Sequence, residues 1–327
     1  MTRHSQVLFS AVFMLLSAAA TSEAAETQAK RDKPGLLILT HGSSAPAWNK
    51  AVETLAGKVR TLNETKKTFH AVAFANLEFA QPGVAETIEK MEGWGCSRII
   101  VVPAFVTSSS HSHFDVPAAL GIYSSPSTRQ HVHSHASHGH GHEHDKHGEH
   151  EHCITQATPH VPVTVTQTFN EGDLLDRYIQ EETAKLSEKP EDEALLIISH
   201  GDDTHSGLVE PVMRRLLVSG AGSRKITAGD YVYCGMGQTY AQNVVPAIRR
   251  LAEKRKRILV VGLYFVASAK TIEKRTWIDG KPPERSPLSG VEVRFSETGL
   301  IDCPATPQWI LNTAAEALNI PQAAKAE

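Results

Sequence analysis

The chain has 327 residues, with 33 Lys and Arg against 36 Asp and Glu and a formal net charge of −3. This length suggests two domains of roughly 150 residues each. A hydrophobic fraction of 41% is ample for buried cores and excludes a wholly disordered chain. The near-neutral charge lacks the basic excess of a dedicated nucleic-acid binder, so we expect no nucleic-acid partner. The chain contains 18 histidines. Because histidine is the commonest metal ligand among side chains, their positions matter more than their number.

Residues 1–25 have the features of a secretory signal peptide. Arg3 gives a positive start, residues 7–20 form an apolar core, and residues 22–24 are a candidate cleavage site. The apolar core is too short to cross a bilayer as a helix, which needs about 20 residues. An uncleaved anchor is the alternative. The sequence has no other long apolar run, so we expect an exported, periplasmic protein with no stable membrane span after signal cleavage.

The following segments alternate apolar strands with amphipathic helices. Strands are predicted at residues 36–40, 69–75, 99–106 and 161–169, and helices after Pro46, after Pro82 and over 174–186. In the first helix, apolar residues alternate at spacings of four and three, which is the pattern of an amphipathic helix: Trp48, Val52, Leu55, Val59 and Leu62. This order predicts an α/β fold, with a parallel sheet flanked by helices.

A histidine-rich insertion interrupts this pattern over about residues 125–153. It holds ten of the 18 histidines: His131, His133, His135, His138, His140, His142, His144, His147, His150 and His152. Such a low-complexity segment cannot build a core, so we predict that it is disordered. Alternating histidines can wrap one ion while discriminating poorly between metals. We interpret the tract as an auxiliary metal-collecting segment, and incidental metal binding is the alternative.

An internal repeat extends the strand and helix pattern to the second half of the chain. Two segments recur at the same offset of 159 positions: 35–42 (GLLILTHG) as 194–201 (ALLIISHG), and 98–103 (RIIVVP) as 257–262 (RILVVG). Two copies are too few for a solenoid, so the repeat predicts duplication of a whole domain. We expect two similar lobes, over residues 34–190 and 191–320.

Three chemistry-bearing side chains follow three predicted strands of the first lobe. His41 comes directly after the first strand, Glu78 shortly after the second, and His111 after the third. Ligands of open parallel sheets bind beyond the carboxyl ends of the strands, so we expect these side chains to share one crevice. Two imidazoles and a carboxylate suit Co²⁺, Ni²⁺, Fe²⁺ or Zn²⁺, and they could also supply a base. His113 is an alternative ligand.

At these residues the chain resembles the CbiX-type sirohydrochlorin chelatases, class II chelatases related in fold to ferrochelatase. The resemblance is carried by three motifs in order: residues 37–43 (LILTHGS), 77–82 (LEFAQP), and 102–105 (VPAF) continuing through His111 to 115–117 (DVP). It covers most of residues 34–190. The repeat extends it to about residue 320, as in the long two-lobed members of that family.

The resemblance implies an enzyme that inserts Co²⁺, Fe²⁺ or Ni²⁺ into sirohydrochlorin or a related tetrapyrrole, in cobalamin- or siroheme-type biosynthesis. His41 and His111 match the metal-binding histidines of the family. Glu78 matches a glutamate placed for metal delivery or proton removal. The divalent metal is then a substrate, and neither a redox cofactor nor a nucleotide is needed. Neutral imidazoles can hold such an ion and release it to the macrocycle.

Two features depart from the family pattern. Residues 108–110 are serines where glycine is usual, which affects how closely the macrocycle approaches the backbone. In the second copy His200 remains, but Gln238 aligns near Glu78 and Lys270 takes the place of His111. We therefore expect one active site, in the first lobe.

Export motivates a competing hypothesis, because tetrapyrrole synthesis is normally cytosolic. The protein would then be a non-catalytic metal chaperone or buffer, or a tetrapyrrole-binding protein, on a chelatase scaffold. The metal, the tetrapyrrole and the oligomeric state stay open. Four separated cysteines without a CxxC pair argue against a thiolate zinc knuckle and leave disulfides or free thiols open: Cys96, Cys153, Cys234 and Cys303.

Overall fold

The computed structural model describes residues 32–108, 111–122, 156–201, 206–235, 239–275 and 288–319. The predicted signal peptide and all ten histidines of the tract lie outside these residues, so the statements made about them stay predictions. In the described part of the chain, no helix combines the length and the apolar character needed to cross a membrane.

Two four-stranded parallel sheets form the framework, as the sequence predicts. The strands are β1 Pro34–Thr40, β2 Ala71–Asn76, β3 Arg98–Pro103, β4 Val163–Val165, β5 Glu193–Ser199, β6 Ala228–Tyr233, β7 Arg257–Leu263 and β8 Glu292–Phe295. The first sheet has the order β2-β1-β3-β4, and the second repeats it as β6-β5-β7-β8. All pairs are parallel, so the two sheets have the same topology.

Helices cover both faces of each sheet. They are α1 Pro46–Lys66, α2 Val84–Gly93, α3 Val116–Ala119, α4 Leu174–Leu186, α5 Ser206–Arg224, α6 Val245–Ala252, α7 Ala269–Lys274 and α8 Thr306–Ala317. Single π-helical turns at His111–Asp115 and Tyr240–Val244 lead into α3 and α6, and 3₁₀ turns occur at Pro190–Asp192 and Leu300–Asp302. In α1 the predicted apolar positions Val52, Leu55 and Val59 are buried. The 4,3 spacing therefore marks the face that packs on the sheet.

The fourth strand is shorter than its sequence suggests. The Val/Thr alternation predicts a strand over residues 161–169, but only Val163–Val165 pair regularly with β3. This is an edge strand with one neighbour, and Pro162 has no N–H with which to extend the ladder at its start. Phe169 then bonds to the carbonyl oxygen of Phe105, beyond the end of β3.

The last helix of each repeat packs against the other sheet. Helix α4 lies at its predicted position in the chain but packs against α5 and β7. The hydroxyl of Tyr178 in α4 is 2.9 Å from the carbonyl oxygen of Gly262 in β7. Helix α8, from the second repeat, packs against α1 and β3. A division of the chain at residue 190 therefore does not separate two independent cores.

An aromatic cluster fills the space between the two sheets. The ring of Phe169, which is fully buried, is 5.7 Å from Phe265 and 5.1 Å from Trp309. Phe265 is also 5.9 Å from Trp48 of α1. These rings belong to one continuous core that includes residues of both β1 and β5. The two lobes thus share their largest core.

The described cysteines are free thiols. Cys96 and Cys303 are buried, and Cys234 is half-buried. Two disulfides in a chain with four cysteines would need a bond between two of these three. The arrangements with two disulfides are therefore excluded, and Cys153 lies outside the described residues.

The shared core predicts that both lobes unfold together. Phe169→Ala removes a fully buried ring between the sheets, so we expect a loss of about 3–5 kcal/mol in the free energy of unfolding. Calorimetry and far-UV circular dichroism should show one transition, shifted as a whole. Trp94→Ala, at a side chain that is 51% exposed, should change the free energy of unfolding by about 0.5 kcal/mol or less. Two separate transitions would contradict the shared core.

Candidate metal centre

The candidate site lies where β1 and β3 end side by side. Leu39 of β1 pairs with Pro103 of β3, so the segments that follow the two strands start next to each other. The chain goes from β1 to β2 on one side of β1, and then from β2 to β3 on the other side of β1. The carboxyl ends of β1 and β3 therefore flank the topological switch point, where open α/β sheets bind their ligands.

The structure brings the two predicted histidines together at this point. His41 follows β1, and His111 begins the π-helical turn that leads to α3. The centroids of their imidazole rings are 4.5 Å apart, with the ring planes at 76°. Two imidazoles at this separation can point their nitrogens at one ion.

The two imidazoles are the middle members of a row of four rings. Phe79 stacks on His41 at 5.4 Å, and Phe105 stacks on His111 at 6.2 Å. Phe105 is buried, whereas Phe79 is 43% exposed. The row therefore runs from the core to the surface, and each imidazole has an apolar ring beside it.

These surroundings keep His41 in its neutral form. Desolvation lowers the pKa of His41 from 6.5 to about 4, and repulsion from His111 acts in the same direction. The hydrogen bond to the Gly42 backbone and the charge of Asp115 raise the pKa of His41 and so oppose this shift. The charge of His200, in the second lobe, lowers it further. The Nδ1 atom of His41 is 3.2 Å from the carbonyl oxygen of Gly42. With the proton on Nδ1, Nε2 carries the lone pair that a metal ion needs.

A buried carboxylate orients the second histidine. The Nδ1 atom of His111 is 2.6 Å from Oδ2 of Asp115, four residues later on the same turn. Asp115 is fully buried, while His111 is partly exposed. Such a carboxylate fixes the tautomer of a ligating imidazole and raises its basicity. Asp115 is a functional residue that was not predicted from the sequence. Its signal was a carboxylate four positions after a candidate ligand, at helical spacing.

The backbone of Glu78 is tied to that of His41. The Glu78 amide donates to the His41 carbonyl at 2.9 Å, which continues the β1–β2 ladder beyond the strand ends. Gly42 has a φ of 89°, and a Cβ atom there would lie 2.0 Å from the Glu78 carbonyl oxygen. Only glycine permits this close approach.

The described residues supply two imidazoles rather than a complete ligand set. Among them, no group of three His, Cys, Asp or Glu side chains is arranged to hold a metal ion. Glu78 is half-buried beside the pair, and its part as ligand or base stays a prediction. His113 is exposed, and side chains two positions apart on a helical turn point in different directions. Its role as an alternative ligand also stays a prediction.

The serine loop before His111 is anchored at its first residue. The Ser108 amide donates to Oδ1 of Asn170 at 2.8 Å, and the Ser108 hydroxyl lies 3.1 Å from that of Thr168. Ser109 and Ser110 lie outside the described residues. The serine that replaces glycine at position 108 is thus bonded to the segment that follows β4.

Of the two histidines, the described part of the second lobe retains the one that follows the first strand of the sheet. His200 follows β5, and its Nδ1 lies 3.3 Å from the Gly201 carbonyl oxygen, as in His41. Lys270 stands in α7, 3.1 Å from Glu273 and 5.0 Å above the Phe295 ring.

The prediction that Gln238 is the counterpart of Glu78 is wrong. In the first lobe the Leu77 amide bonds to the carbonyl of the last residue of β1, and in the second the Cys234 amide bonds to the carbonyl of the last residue of β5. Gly235 therefore takes the position of Glu78, and Gln238, which lies outside the described residues, does not. The connection before β6 is two residues shorter than the one before β2, so the constant offset fails here.

Comparisons with known proteins find similarity to the first lobe. Residues 35–185 match the CbiX family model. The sirohydrochlorin cobaltochelatase of Methanococcus maripaludis is 32% identical to the chain over 88 residues, which are 27% of this chain and 58% of that protein. The one of Saccharolobus solfataricus is 31% identical over 88 residues, which are 27% of this chain and 64% of that protein. The chain thus spans about three fifths of these curated relatives.

Solved chelatase structures share the fold of most of the chain, across both lobes. SirB from Bacillus subtilis with Fe³⁺ has a TM-score of 0.54 at 14% identity, covering 88% of this chain and 96% of that one. CbiX, described as the terminal enzyme for siroheme biosynthesis in denitrifying bacteria, has a TM-score of 0.51 at 16% identity, covering 88% and 100%. At such identities the likeness concerns the fold alone.

The lowered pKa of His41 predicts a pH effect on stability. The unfolded chain binds a proton near pH 6.5, but the folded protein binds it only near pH 4. Protonation thus favours the unfolded chain, and His41 makes the fold less stable as the pH falls from about 6.5 to about 4. NMR titration of the metal-free protein should show a neutral His41 ring at pH 5. His41→Gln should flatten the pH dependence of the free energy of unfolding in this window. A His41 ring that titrates near pH 6.5 would contradict the prediction.

The contact between His111 and Asp115 predicts a graded loss of metal affinity. Asp115→Ala removes the acceptor for Nδ1, so we expect Co²⁺ to bind about 10–100-fold more weakly. Asp115→Asn keeps an acceptor without the charge and should lose less. The measurement is a Co²⁺ titration followed by visible absorbance, with circular dichroism to confirm folding. Equal Co²⁺ affinity in a folded Asp115→Ala variant would show that the carboxylate does not support the ligand.

Proposed function

We propose that this protein is a sirohydrochlorin-type metal chelatase, which inserts Co²⁺, Fe²⁺ or Ni²⁺ into sirohydrochlorin or a related tetrapyrrole. The observation that carries the proposal is the pair of imidazoles, His41 and His111, at the switch point of the first lobe. Their rings are 4.5 Å apart at the place where such sheets bind ligands.

Insertion of a metal ion into a macrocycle requires a protein site that does not fill all the coordination positions of the ion. The divalent ion is a substrate, and it must bind to the protein and then pass to four macrocycle nitrogens. Two protein ligands leave coordination positions open, which is typical of sites that do chemistry on their metal. His41 is neutral at pH 7, so metal binding there does not compete with a proton. Two pyrrole protons must leave, and Glu78 is the nearby group that we assign to take a proton.

The relatives support the metal and the substrate class. The curated relatives that match this chain carry the name sirohydrochlorin cobaltochelatase. Structures with the same fold include SirB with Fe³⁺ and SirB in complex with cobalt. Siroheme-type and cobalamin-type products both follow from this substrate.

The predicted signal peptide and the histidine tract favour a second candidate. Ten histidines within 22 residues, in a protein predicted to be exported, would also suit a non-catalytic metal buffer or chaperone. In the chelatase proposal, the tract collects metal for the nearby pair in the periplasm. The two candidates differ in what happens when residues 131–152 are deleted.

We expect the full-length protein to insert Co²⁺ into sirohydrochlorin under anaerobic conditions, measured by the change in absorbance. His41→Ala with His111→Ala should abolish insertion, because both imidazoles of the candidate site are removed. Glu78→Gln should lower kcat by about 10²-fold or more if Glu78 takes the proton. The matched control is His200→Ala, which removes the histidine of the same motif in the second lobe and should leave insertion largely unchanged.

Full turnover by the His41→Ala, His111→Ala variant would overturn the proposed mechanism. Deletion of residues 131–152 should leave turnover intact with excess metal if the protein is a chelatase. A buffer would show no turnover and would lose most of its metal-binding stoichiometry on this deletion.

A further inference from the structure

Phe79 is the centre of a tight, strained turn beside the candidate metal pair. The Ala80 amide donates to the Glu78 carbonyl oxygen at 2.8 Å, which closes a three-residue γ-turn, and Phe79 has a φ of 61°. The γ-turn with a positive φ at its central residue is rare and strained, and a bulky side chain there is unusual. Strained positions of this kind cluster at active sites and ligand clamps.

The surrounding hydrogen bonds hold this turn in place. On one side, the Glu78 amide is bonded to His41. On the other side, the buried Asn76 side chain accepts a hydrogen bond from the Thr40 hydroxyl at 2.8 Å and donates to the Gln81 carbonyl at 3.3 Å. The strained conformation is therefore fixed from both ends, and the position of the Phe79 ring relative to His41 is fixed with it.

The ring of Phe79 is held at the surface rather than buried. It is 43% exposed although it stacks on His41. Trp94 is also exposed, but it lies at the opposite end of the sheet. Its carbonyl accepts from the His70 ring, and His70 is bonded to Pro34, so Trp94 lies at the amino ends of the strands. Phe79 stands at the carboxyl ends, next to a candidate metal ligand.

The orientation of the rings defines how a flat macrocycle would meet Phe79. A metal ion bound to an imidazole nitrogen lies in the plane of that imidazole. A macrocycle that receives the ion must therefore lie roughly perpendicular to this plane. The Phe79 ring is inclined by only 30° to the ring of His41. The face of a macrocycle placed over His41 therefore contacts the edge of the Phe79 ring. Edge-to-face contact is a favoured geometry for aromatic rings.

We infer that Phe79 contacts the conjugated face of the tetrapyrrole and sets its position over His41 and His111. This inference rests on the proposed chelatase function and adds a substrate-contacting residue to it. The ligand class is a flat conjugated macrocycle. The edge of the Phe79 ring supports it beside the point where the metal ion is transferred.

The test separates macrocycle binding from metal binding in the full-length protein. Metal-free sirohydrochlorin is titrated into metal-free protein and followed by absorbance, and Co²⁺ is titrated separately. For Phe79→Ala we expect about a tenfold rise in the sirohydrochlorin Kd and in its KM. The Co²⁺ Kd should stay within about threefold of wild type. Alanine also has a Cβ atom, so the backbone strain is retained and only the ring is lost.

Two further variants and one control make the result specific. Phe79→Tyr keeps the ring edge and should bind sirohydrochlorin within about threefold of wild type, whereas Phe79→Leu keeps apolar bulk without a ring and should behave like Phe79→Ala. Phe79→Leu also carries the test if the alanine variant does not fold. Trp94→Ala, at an exposed ring at the other end of the sheet, should bind as wild type does.

The outcomes distinguish this inference from the proposed function. Unchanged sirohydrochlorin binding by folded Phe79→Ala or Phe79→Leu, in a protein whose wild type inserts metal, would overturn the role of Phe79 alone. A wild-type protein that neither binds sirohydrochlorin nor inserts metal would overturn the proposed function and the inference with it. A rise in the Co²⁺ Kd as large as that for sirohydrochlorin would show that Phe79 supports His41 and does not contact the macrocycle.

Discussion

The pairing of β1 with β3 is the interaction on which the candidate site depends. It sets Leu39 opposite Pro103, and from there one chain segment leads directly to His41 and the other to His111. A slip of one residue in this register would turn every side chain of a strand to the opposite face. Because all of β1 is buried, such a slip would disrupt two cores at once, one on each face. The burial of the strand thus fixes where its terminal histidine stands.

The two histidines at this point are supported in different ways. His41 is packed beside Phe79 and faces a neutral backbone carbonyl, and its pKa is lowered to about 4. His111 has a buried carboxylate, Asp115, 2.6 Å from its Nδ1 atom. A hydrogen-bonded carboxylate makes an imidazole a better electron donor, whereas a site that disfavours a proton also disfavours a bound cation. In the proposed site, His111 therefore holds the ion and His41 holds it more weakly, which suits a metal that must be released.

Features that depend on the local pattern of residues could be predicted from the sequence. Features that depend on contacts between distant segments of the chain could not. The bounds of α4 and the buried face of α1 follow from the spacing of apolar residues, as does the end of β1, which His41 follows, whereas β3 ends at Pro103 and not at the predicted residue 106. An amphipathic pattern does not say which sheet a helix covers, so the packing of α4 on β7 could not be predicted. Asp115 and Phe79 gain their roles from a π-helical turn and a γ-turn, which have no strong sequence signal. The alignment of Gln238 failed because a two-residue difference before β6 shifts the register.

The second lobe stabilises the first although, among the described residues, it does not repeat Glu78 and His111. At the position of Glu78 it has Gly235, and at the position of His111 it has Lys270, which is paired with Glu273. Yet its helix α8 covers α1 and β3, the strand that leads to His111, and Phe265 completes the aromatic cluster around Phe169. Removing this lobe would expose the inner face of the first sheet to water. His200 also contributes to the lowered pKa of His41. The candidate site therefore depends on the second lobe through packing, even though that lobe does not repeat the histidine pair.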